Sequence, residues 1–219
     1  MDDSGFGKRR SSGQGAATPR TKPLKRPRQA RARFTVETIY EALVRIWQRG
    51  GWAAVTTRAV ALEAGFAVGT LYEYFPNKQA LLSGYVRHQI EALLGRIEAQ
   101  VIAPRLGWQA RVERLLALSC GPEQAMQSLF TLEVARLEAE IAEPKHYRRA
   151  YEEMLAVWQR VFAACDDLPA PVPAERVEAL LLMVWGGRRY AALAQLDQAG
   201  LREWRQQIQT LLIRALTLA

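Results

Sequence analysis

The sequence predicts an all-α protein in which an N-terminal three-helix domain precedes a larger C-terminal helical bundle. Apolar residues recur at steps of three and four along most of the 219 residues, which places them on one face of successive helices. No stretch shows the sustained alternation of apolar and polar residues that a half-buried strand would have. Segments rich in helix breakers separate the periodic stretches, and their positions predict about nine helices in total.

Composition limits the class of protein. Apolar residues make up 49% of the chain, which is enough for a substantial core. No apolar run approaches the length of about 18 residues that a membrane span needs, and the N-terminal segment lacks the apolar stretch of a secretory signal. Cys120 and Cys165 are the only cysteines and form no CxxC pair, so we expect no disulfide. These features predict a cytoplasmic protein with no membrane partner.

Positive charge is concentrated at the N-terminus. Residues 1–34 hold ten of the 30 basic residues and two of the 22 acidic residues, which accounts for the whole net charge of +8. Because this segment has few large apolar side chains, we expect residues 1–33 to form a disordered basic tail. A flexible polycation suits a polyanion such as nucleic acid, and a purely solubilising tail is the alternative.

Capping residues and helix breakers set the expected ends of the first four helices. Gly50 and Gly51 stop the first helix, Thr57 caps the second, and Gly65 supplies the positive φ that ends it. Asn77 is a good N-cap for the fourth. The expected helices are 35–49, a short one between Thr57 and Gly65, 67–75, and a long one from Lys78 towards Val101.

Five further helices are expected beyond residue 104, separated by the breaker-rich segments "CGPE", "AEPK", "DDLPAPVP" and "DQAG". No fixed-period repeat is visible, which argues against a helical solenoid. The expected helices lie at about 108–119, 123–141, 145–165, 174–195 and 200–217.

The second and third helices have the pattern of a helix-turn-helix, because a Gly-containing turn joins two short helices of different character. Leu71 and Phe75 are four residues apart and should anchor the third helix to a core with Val60 and Phe66. The third helix would then lie in the major groove of DNA, which admits an α-helix and presents a distinct pattern for each base pair. The residues left on its outer faces are Thr70, Tyr72, Glu73 and Tyr74.

The stretch "TTRAVALEAGFAVGTLYEYFPNKQALL", residues 56–82, resembles the DNA-binding signature of the TetR family of bacterial transcription regulators. The family resemblance implies an all-helical homodimer that binds a palindromic operator, and usually repression relieved by a small-molecule inducer. Ligand binding in the second domain would shift the long helix after Lys78 and so change the separation of the two recognition helices. The positions in register are Ala64, Gly65, Gly69, Thr70, Leu71, Tyr72, Tyr74, Phe75, Lys78 and Leu81.

Carried over position by position, the resemblance assigns roles in DNA binding. Thr56 or Thr57 would serve a phosphate or cap the helix, and Thr70 would reach a base or a phosphate. Arg58 would read a guanine edge, with a solvated arginine as the alternative. The tyrosines and Lys78 would hold the DNA backbone, with core packing as the alternative for the tyrosines. The complete expected set is Thr56, Thr57, Arg58, Ala67, Val68, Gly69, Thr70, Tyr72, Glu73, Tyr74 and Lys78.

Two positions depart from the family pattern at the start of the recognition helix. Ala67 stands where a capping Ser or Thr is usual, and Val68 replaces a commonly polar residue. Direct hydrogen-bond readout from this end is therefore weak, and we hypothesise that the basic tail enters an adjacent minor groove or follows the phosphates.

The expected domains are the tail 1–33, a DNA-binding domain 34–82 with its motif at about 56–75, and a ligand-binding and dimerisation domain 83–219. Aromatic residues and methionines in the third region suit a small, largely apolar ligand. The last two helices resemble the dimerisation pair of the family, with Gly186 and Gly187 allowing close approach. The expected ligand contacts are Trp108, Met126, Phe130, Tyr151, Trp158 and Trp185.

The sequence offers little for catalysis or metal binding. His88 and His146 are the only histidines, and neither lies in an HExxH motif. Glu143 and His146 form a single ExxH, but Pro144 between them indicates a helix start rather than a di-iron site. We therefore expect no enzyme activity, no cofactor and no metal. The main alternative function is a DNA-binding regulator whose C-terminal bundle docks a protein partner and senses no small molecule.

Overall fold

The structure is a computed structural model, and it describes residue 23, residues 30–120 and residues 131–217. All regular structure in these residues is helical and no strand occurs among them, so the all-α prediction is confirmed. The helices are α1 (Ala30–Ala54), α2 (Thr57–Glu63), α3 (Val68–Tyr74), α4 (Lys78–Ile97), α5 (Trp108–Cys120), α6 (Leu132–Ile141), α7 (Pro144–Ala163), α8 (Ala174–Leu193) and α9 (Gln198–Thr217).

Helix α1 begins five residues earlier than its apolar pattern indicated, so residues 30–33 were wrongly assigned to a disordered tail. Ala and Arg are strong helix formers, and they extend the helix although these positions bury little. Thr35 donates its hydroxyl to the Arg31 carbonyl at 3.0 Å, four residues back, as a helical turn allows. Of the expected basic tail, Pro23 and residues 30–33 are described, and the rest lies outside the described residues.

The expected glycine stop after α1 lies at Gly51, where φ is 68°. One further helical turn follows it before the chain enters α2. The cap of α2 is Thr56 rather than the predicted Thr57, because the Thr56 backbone is extended and its hydroxyl accepts from the Ala59 N–H at 3.0 Å. Gly65, with φ of 74°, turns the chain out of α2 as predicted.

Helices α1–α3 and the first turns of α4 pack around one hydrophobic core, here called the N-terminal unit. Its fully buried residues include Leu43, Val60, Leu71 and Leu81. On the surface, Glu63 of α2 accepts from Arg45 at 2.9 Å and from Arg49 at 2.6 Å, and so fastens α2 to α1. These hydrogen bonds, from Arg49 first and then Arg45, lower the pKa of Glu63.

Helix α4 ends earlier than predicted, because its last turn widens into a π-helix over Glu98–Ile102. The buried Arg111 of α5 donates to backbone carbonyls in this π-helix and just after it. The guanidinium reaches Val101, and it lies 3.1 Å from the Ile102 oxygen and 3.3 Å from that of Leu106. A guanidinium carries five donors, so one side chain satisfies several carbonyls that the helix leaves unpaired.

The second half of α4 and helices α5, α7, α8 and α9 enclose a larger core, here called the C-terminal bundle. Helix α7 begins at Pro144, and the Glu143 N–H donates to His146 Nδ1 at 3.1 Å, so the ExxH pattern is a helix cap. Gly187 faces helix α9 of the same chain rather than an open surface. A Cβ there would meet the Trp204 ring at 2.8 Å, so the glycine lets α9 approach α8.

No helix in the described part of the chain has the length and apolar character needed to cross a membrane.

Candidate nucleic-acid interface

Helix α3 is anchored by one apolar face. Val68, Leu71 and Phe75 follow each other at steps of three and four, so they share this face. Leu71 is fully buried, Phe75 nearly so, and Val68 packs against the same core. Val68, which we expected to contact bases, is half-buried, because its spacing to Leu71 turns part of its side chain towards the core.

The opposite faces of α3 are open to solvent. Ala67 and Gly69 are exposed, Thr70 is half-buried, and Glu73 is exposed. Ala67 provides no side-chain cap, as its residue type predicts. Tyr72 has 46% of its surface exposed, which is high for a large aromatic side chain. This face therefore carries small residues, a hydroxyl group and a phenol.

A pair of hydroxyl groups joins α3 to the start of α2. The Thr57 hydroxyl and the Tyr72 phenol lie 3.2 Å apart, within hydrogen-bonding distance. Arg58 follows Thr57 in the first turn of α2 and is exposed. The two helices thus present Thr57, Arg58 and Tyr72 at one surface. The pair is separated by 15 positions in sequence, so local spacing gave no sign of the contact.

Tyr74 and Lys78 make contacts within the chain. Core packing was the alternative considered for Tyr74, whereas the contact of Lys78 with Trp52 had no local signal in the sequence. Tyr74 is half-buried and packs against the core of the N-terminal unit, because it lies three positions after Leu71. The Lys78 ammonium donates to the Trp52 carbonyl at 2.5 Å and lies 4.2 Å from the centroid of the Trp52 ring. Partial burial lowers the pKa of Lys78. Both residues therefore have structural roles in the unliganded chain.

The residues expected to line a ligand pocket are mostly packed in the C-terminal bundle. Trp158 is fully buried, Trp108 nearly so, and Tyr151 and Trp185 are partly buried against the same core. Tyr151 also donates to Glu178 of α8. The two remaining expected contacts, Met126 and Phe130, lie outside the described residues.

A cleft of about 980 Å³ opens elsewhere, between the N-terminal unit and helices α4, α6 and α7. None of the expected ligand residues that the structure describes lines it. Its wall includes Tyr40, His88 and Tyr147, with the Tyr40 and His88 rings 5.0 Å apart. Sequence reasoning missed this cleft because its walls come from helices that are far apart in the chain. No cluster of His, Cys, Asp and Glu suited to a metal ion occurs in the portion of the chain that the structure describes.

Comparison with known proteins agrees with this geometry. Residues 39–84 match the family model described as "Bacterial regulatory proteins, tetR family". These residues run from the middle of α1 through the exposed α3 to the first turns of α4. Helices α1–α4 of this chain are therefore similar to those of the TetR family.

Two named relatives match part of this chain in sequence. The HTH-type transcriptional repressor KstR of Mycolicibacterium smegmatis is 38% identical over 89 residues, which is 41% of this chain and 42% of that protein. The nucleoid occlusion factor SlmA of a Marinomonas species is 29% identical over 83 residues, or 38% of this chain and 42% of that protein. The chain thus spans about two fifths of the length of these curated relatives.

Solved structures of TetR-type regulators share the whole fold. A regulator from Mesorhizobium loti superposes with a TM-score of 0.64 at 18% identity, covering 87% of this chain and 98% of that one. A regulator from Haloarcula marismortui gives a TM-score of 0.61 at 20% identity, covering 81% and 96%. At this identity the likeness concerns the fold. The two curated relatives are named as a transcriptional repressor and a nucleoid occlusion factor.

Proposed function

We propose that this protein is a DNA-binding transcriptional repressor that acts as a homodimer, binds a palindromic operator, and is released by a small, largely apolar ligand. The observation that carries the proposal is the two-sided character of α3. Leu71 and Phe75 fix it to the core from one side, while Gly69, Thr70 and Tyr72 face solvent on the other. A helix held in this way can enter the major groove without losing its packing.

The exposed groups of α2 and α3 suit a nucleic-acid backbone and base edges. Arg58 can donate in bidentate fashion to a guanine, and the Thr57 and Tyr72 hydroxyls can donate to phosphate oxygens. Ala67 and Gly69 allow close approach and apolar contact with a thymine methyl group. Arg31 and Arg33 are exposed in the first turns of α1. They are the last basic residues of the N-terminal segment that we propose adds phosphate contacts.

Repression is supported by the likeness to KstR, which is a transcriptional repressor. The likeness to KstR covers about two fifths of each protein, so we infer the mode of action from it and not a set of regulated genes.

Homodimer formation is supported by an apolar stripe on the last two helices. Leu182, Tyr190 and Leu193 are exposed on α8 at helical spacing, with the exposed Gly186 between the first two. Tyr190 has 72% of its surface exposed, and Leu211 of α9 is also exposed. Such a stripe costs free energy in water, and a second copy related by a twofold axis would cover both stripes. The same axis would match a palindromic operator.

Ligand sensing is supported by unpaired polar atoms inside the C-terminal bundle. Within the described part of the chain, Trp158 Nε1 and Ser119 Oγ are buried without a hydrogen-bond partner. Buried donors are normally satisfied, so a largely apolar ligand with one polar group would find partners here.

Binding-site selection from genomic fragments with the full-length protein tests the DNA-binding proposal. We expect recovery of a palindromic sequence, binding of its duplex at low salt, and an affinity that falls steeply as salt increases. A dimer mass should fall to that of a monomer in Leu182→Glu, while Leu62→Glu, at an exposed leucine of α2, should remain a dimer. Failure to enrich any duplex at low salt would overturn the proposal.

Ligand release is tested separately, by native mass spectrometry of the purified protein and by titrating the extracted compound into the protein–DNA complex. Displacement of DNA supports a small-molecule inducer. A protein partner that displaces DNA when no compound does so would favour the alternative, in which the bundle docks a protein.

A further inference from the structure

A carboxylate of helix α6 holds the end of α1 at the point where the chain turns towards α2. Glu133 lies in the first turn of α6, and its two oxygens accept from different donors. Oε2 lies 2.5 Å from the indole nitrogen of Trp47, and Oε1 lies 3.1 Å from the backbone nitrogen of Trp52. Hydrogen bonds to an ionised acceptor are stronger than those between neutral groups.

Lys78 completes the arrangement from the other side. Its ammonium donates to the carbonyl of Trp52, the residue whose N–H is bound by Glu133. The Trp47 and Trp52 rings pack 5.0 Å apart, and Lys78 lies over the Trp52 ring. Both backbone polar groups of Trp52 are therefore engaged, by helix α6 and by helix α4. We call these four residues the Glu133 junction.

A small apolar cluster supports the junction. Leu82 of α4 is buried together with Leu137 and Ile141 of α6, and both tryptophans of the junction pack against them. This cluster is separate from the cores of the N-terminal unit and the C-terminal bundle. Helix α6 thus reaches the N-terminal unit through hydrogen bonds and apolar contacts at the same place.

The position of the junction relates it to DNA binding. Thr56, the cap of α2, follows Trp52 by four positions, and Thr57 then pairs with Tyr72 of α3. Gly51, immediately before Trp52, has φ of 68°, a conformation that glycine adopts without the strain other residues would have. Without a contact from another helix, this turn would be free to move, and helix α2 would move with it.

We propose that Glu133 is a positioning residue for the DNA-binding surface, holding the Trp52 turn so that α2 and α3 keep the spacing that binds an operator. The proposal rests on the DNA-binding function proposed above. It assigns α6 a direct hold on the helix-turn-helix, in addition to the covalent continuity through α4. A movement of α6 would then alter DNA affinity through this carboxylate.

Hydrogen exchange of the full-length protein tests the hold itself without DNA. Because the Trp52 N–H donates to Glu133, its exchange should accelerate in Glu133→Ala by about threefold to tenfold, as expected for the loss of one hydrogen bond. Glu140→Ala is the matched control. It removes an exposed carboxylate from the same helix, whose charge also acts on Lys78, and should leave Trp52 exchange unchanged.

Operator affinity of the same variants, measured on the duplex recovered by selection, tests the positioning role. Glu133→Ala should weaken binding by about threefold to tenfold, and Glu133→Gln, which keeps an acceptor oxygen, should weaken it less. Trp47→Phe keeps a ring but removes the indole donor. Its effect should not add to that of Glu133→Ala in a double-mutant cycle, because both remove the same contact.

The outcomes separate the two proposals. Faster Trp52 exchange together with weaker operator binding supports the positioning role, provided that Glu140→Ala changes neither. Faster exchange with unchanged affinity, or unchanged exchange, overturns it while leaving DNA binding intact. Wild-type protein that binds no duplex overturns the DNA-binding function, and the positioning role with it, even if Trp52 exchange responds. Glu133→Gln and Trp47→Phe keep the experiment decisive if Glu133→Ala does not fold.

Discussion

The hydroxyl of Thr57 and the phenol of Tyr72 lie 3.2 Å apart across the turn of the helix-turn-helix. One residue opens α2 and the other is on the exposed side of α3, so the pair joins the two helices at their solvent face. In this position the phenol can donate to a phosphate while accepting from the threonine. The geometry leads to the first prediction.

Tyr72→Phe should weaken operator binding by about tenfold, the loss expected for one hydrogen bond to a charged group. The ring remains, so the fold should be unaffected. Fluorescence anisotropy with the selected duplex measures the change. Tyr147→Phe is the matched control, since Tyr147 of α7 is exposed to a similar degree, 42% against 46%. Equal affinities of the two variants would contradict a role for the Tyr72 hydroxyl.

Thr56→Ala should lower the free energy of unfolding by about 1 kcal/mol, because it removes the hydroxyl that caps α2. Thr57→Ala should change it by less than about 0.5 kcal/mol, as expected for a surface position, while reducing DNA affinity. Urea denaturation followed by circular dichroism measures both. The sequence predicted the opposite assignment of the cap, so the two variants directly test which threonine performs it.

The carboxylate of Glu63 should make the N-terminal unit sensitive to acid. Its pKa is lowered in the folded state by hydrogen bonds from Arg49 and Arg45, so its contribution to stability is complete above the ordinary carboxyl pKa. That contribution is lost as the pH falls through the lowered folded pKa, because both states are then protonated. Thermal unfolding of Glu63→Gln should therefore lie below that of the wild type at pH 7, and the two should converge at strongly acidic pH. A difference that persists at acidic pH would show that the carboxylate charge is not the cause.

Arg111→Met should destabilise the C-terminal bundle by about 2 to 4 kcal/mol, because it leaves several buried carbonyls at the end of α4 without donors. The aliphatic replacement keeps much of the packing volume. Chemical denaturation gives the change in the free energy of unfolding. Arg114→Met, at an exposed position on the same helix, should be nearly neutral. A neutral result at both positions would show that water replaces the guanidinium at these carbonyls.

Local sequence signals were sufficient for most of the helices. The stops at Gly51 and Gly65, the cap at Asn77 and the start of α7 at Pro144 follow from residue type, because backbone conformation and capping act over one turn. The burial of Leu71 and Phe75 also follows from spacing, since residues four apart share a helix face. The start of α1 was missed because propensity, rather than apolar periodicity, extends a helix into a segment that buries little.

The roles of individual side chains depended on contacts between distant parts of the chain. Tyr72 and Lys78 fall in the same signature, but the fold places one at the surface beside Thr57 and turns the other onto Trp52. Glu133 has no motif of its own and acts only because α6 packs beside the end of α1. The sequence by itself determined the helical fold, through interactions within a few residues. It also carried the signature that resembles the TetR family. The tertiary structure alone decided which polar groups face solvent and which bind each other. That choice depends on packing between helices that are far apart in the sequence, and local sequence patterns do not show which helices pack together.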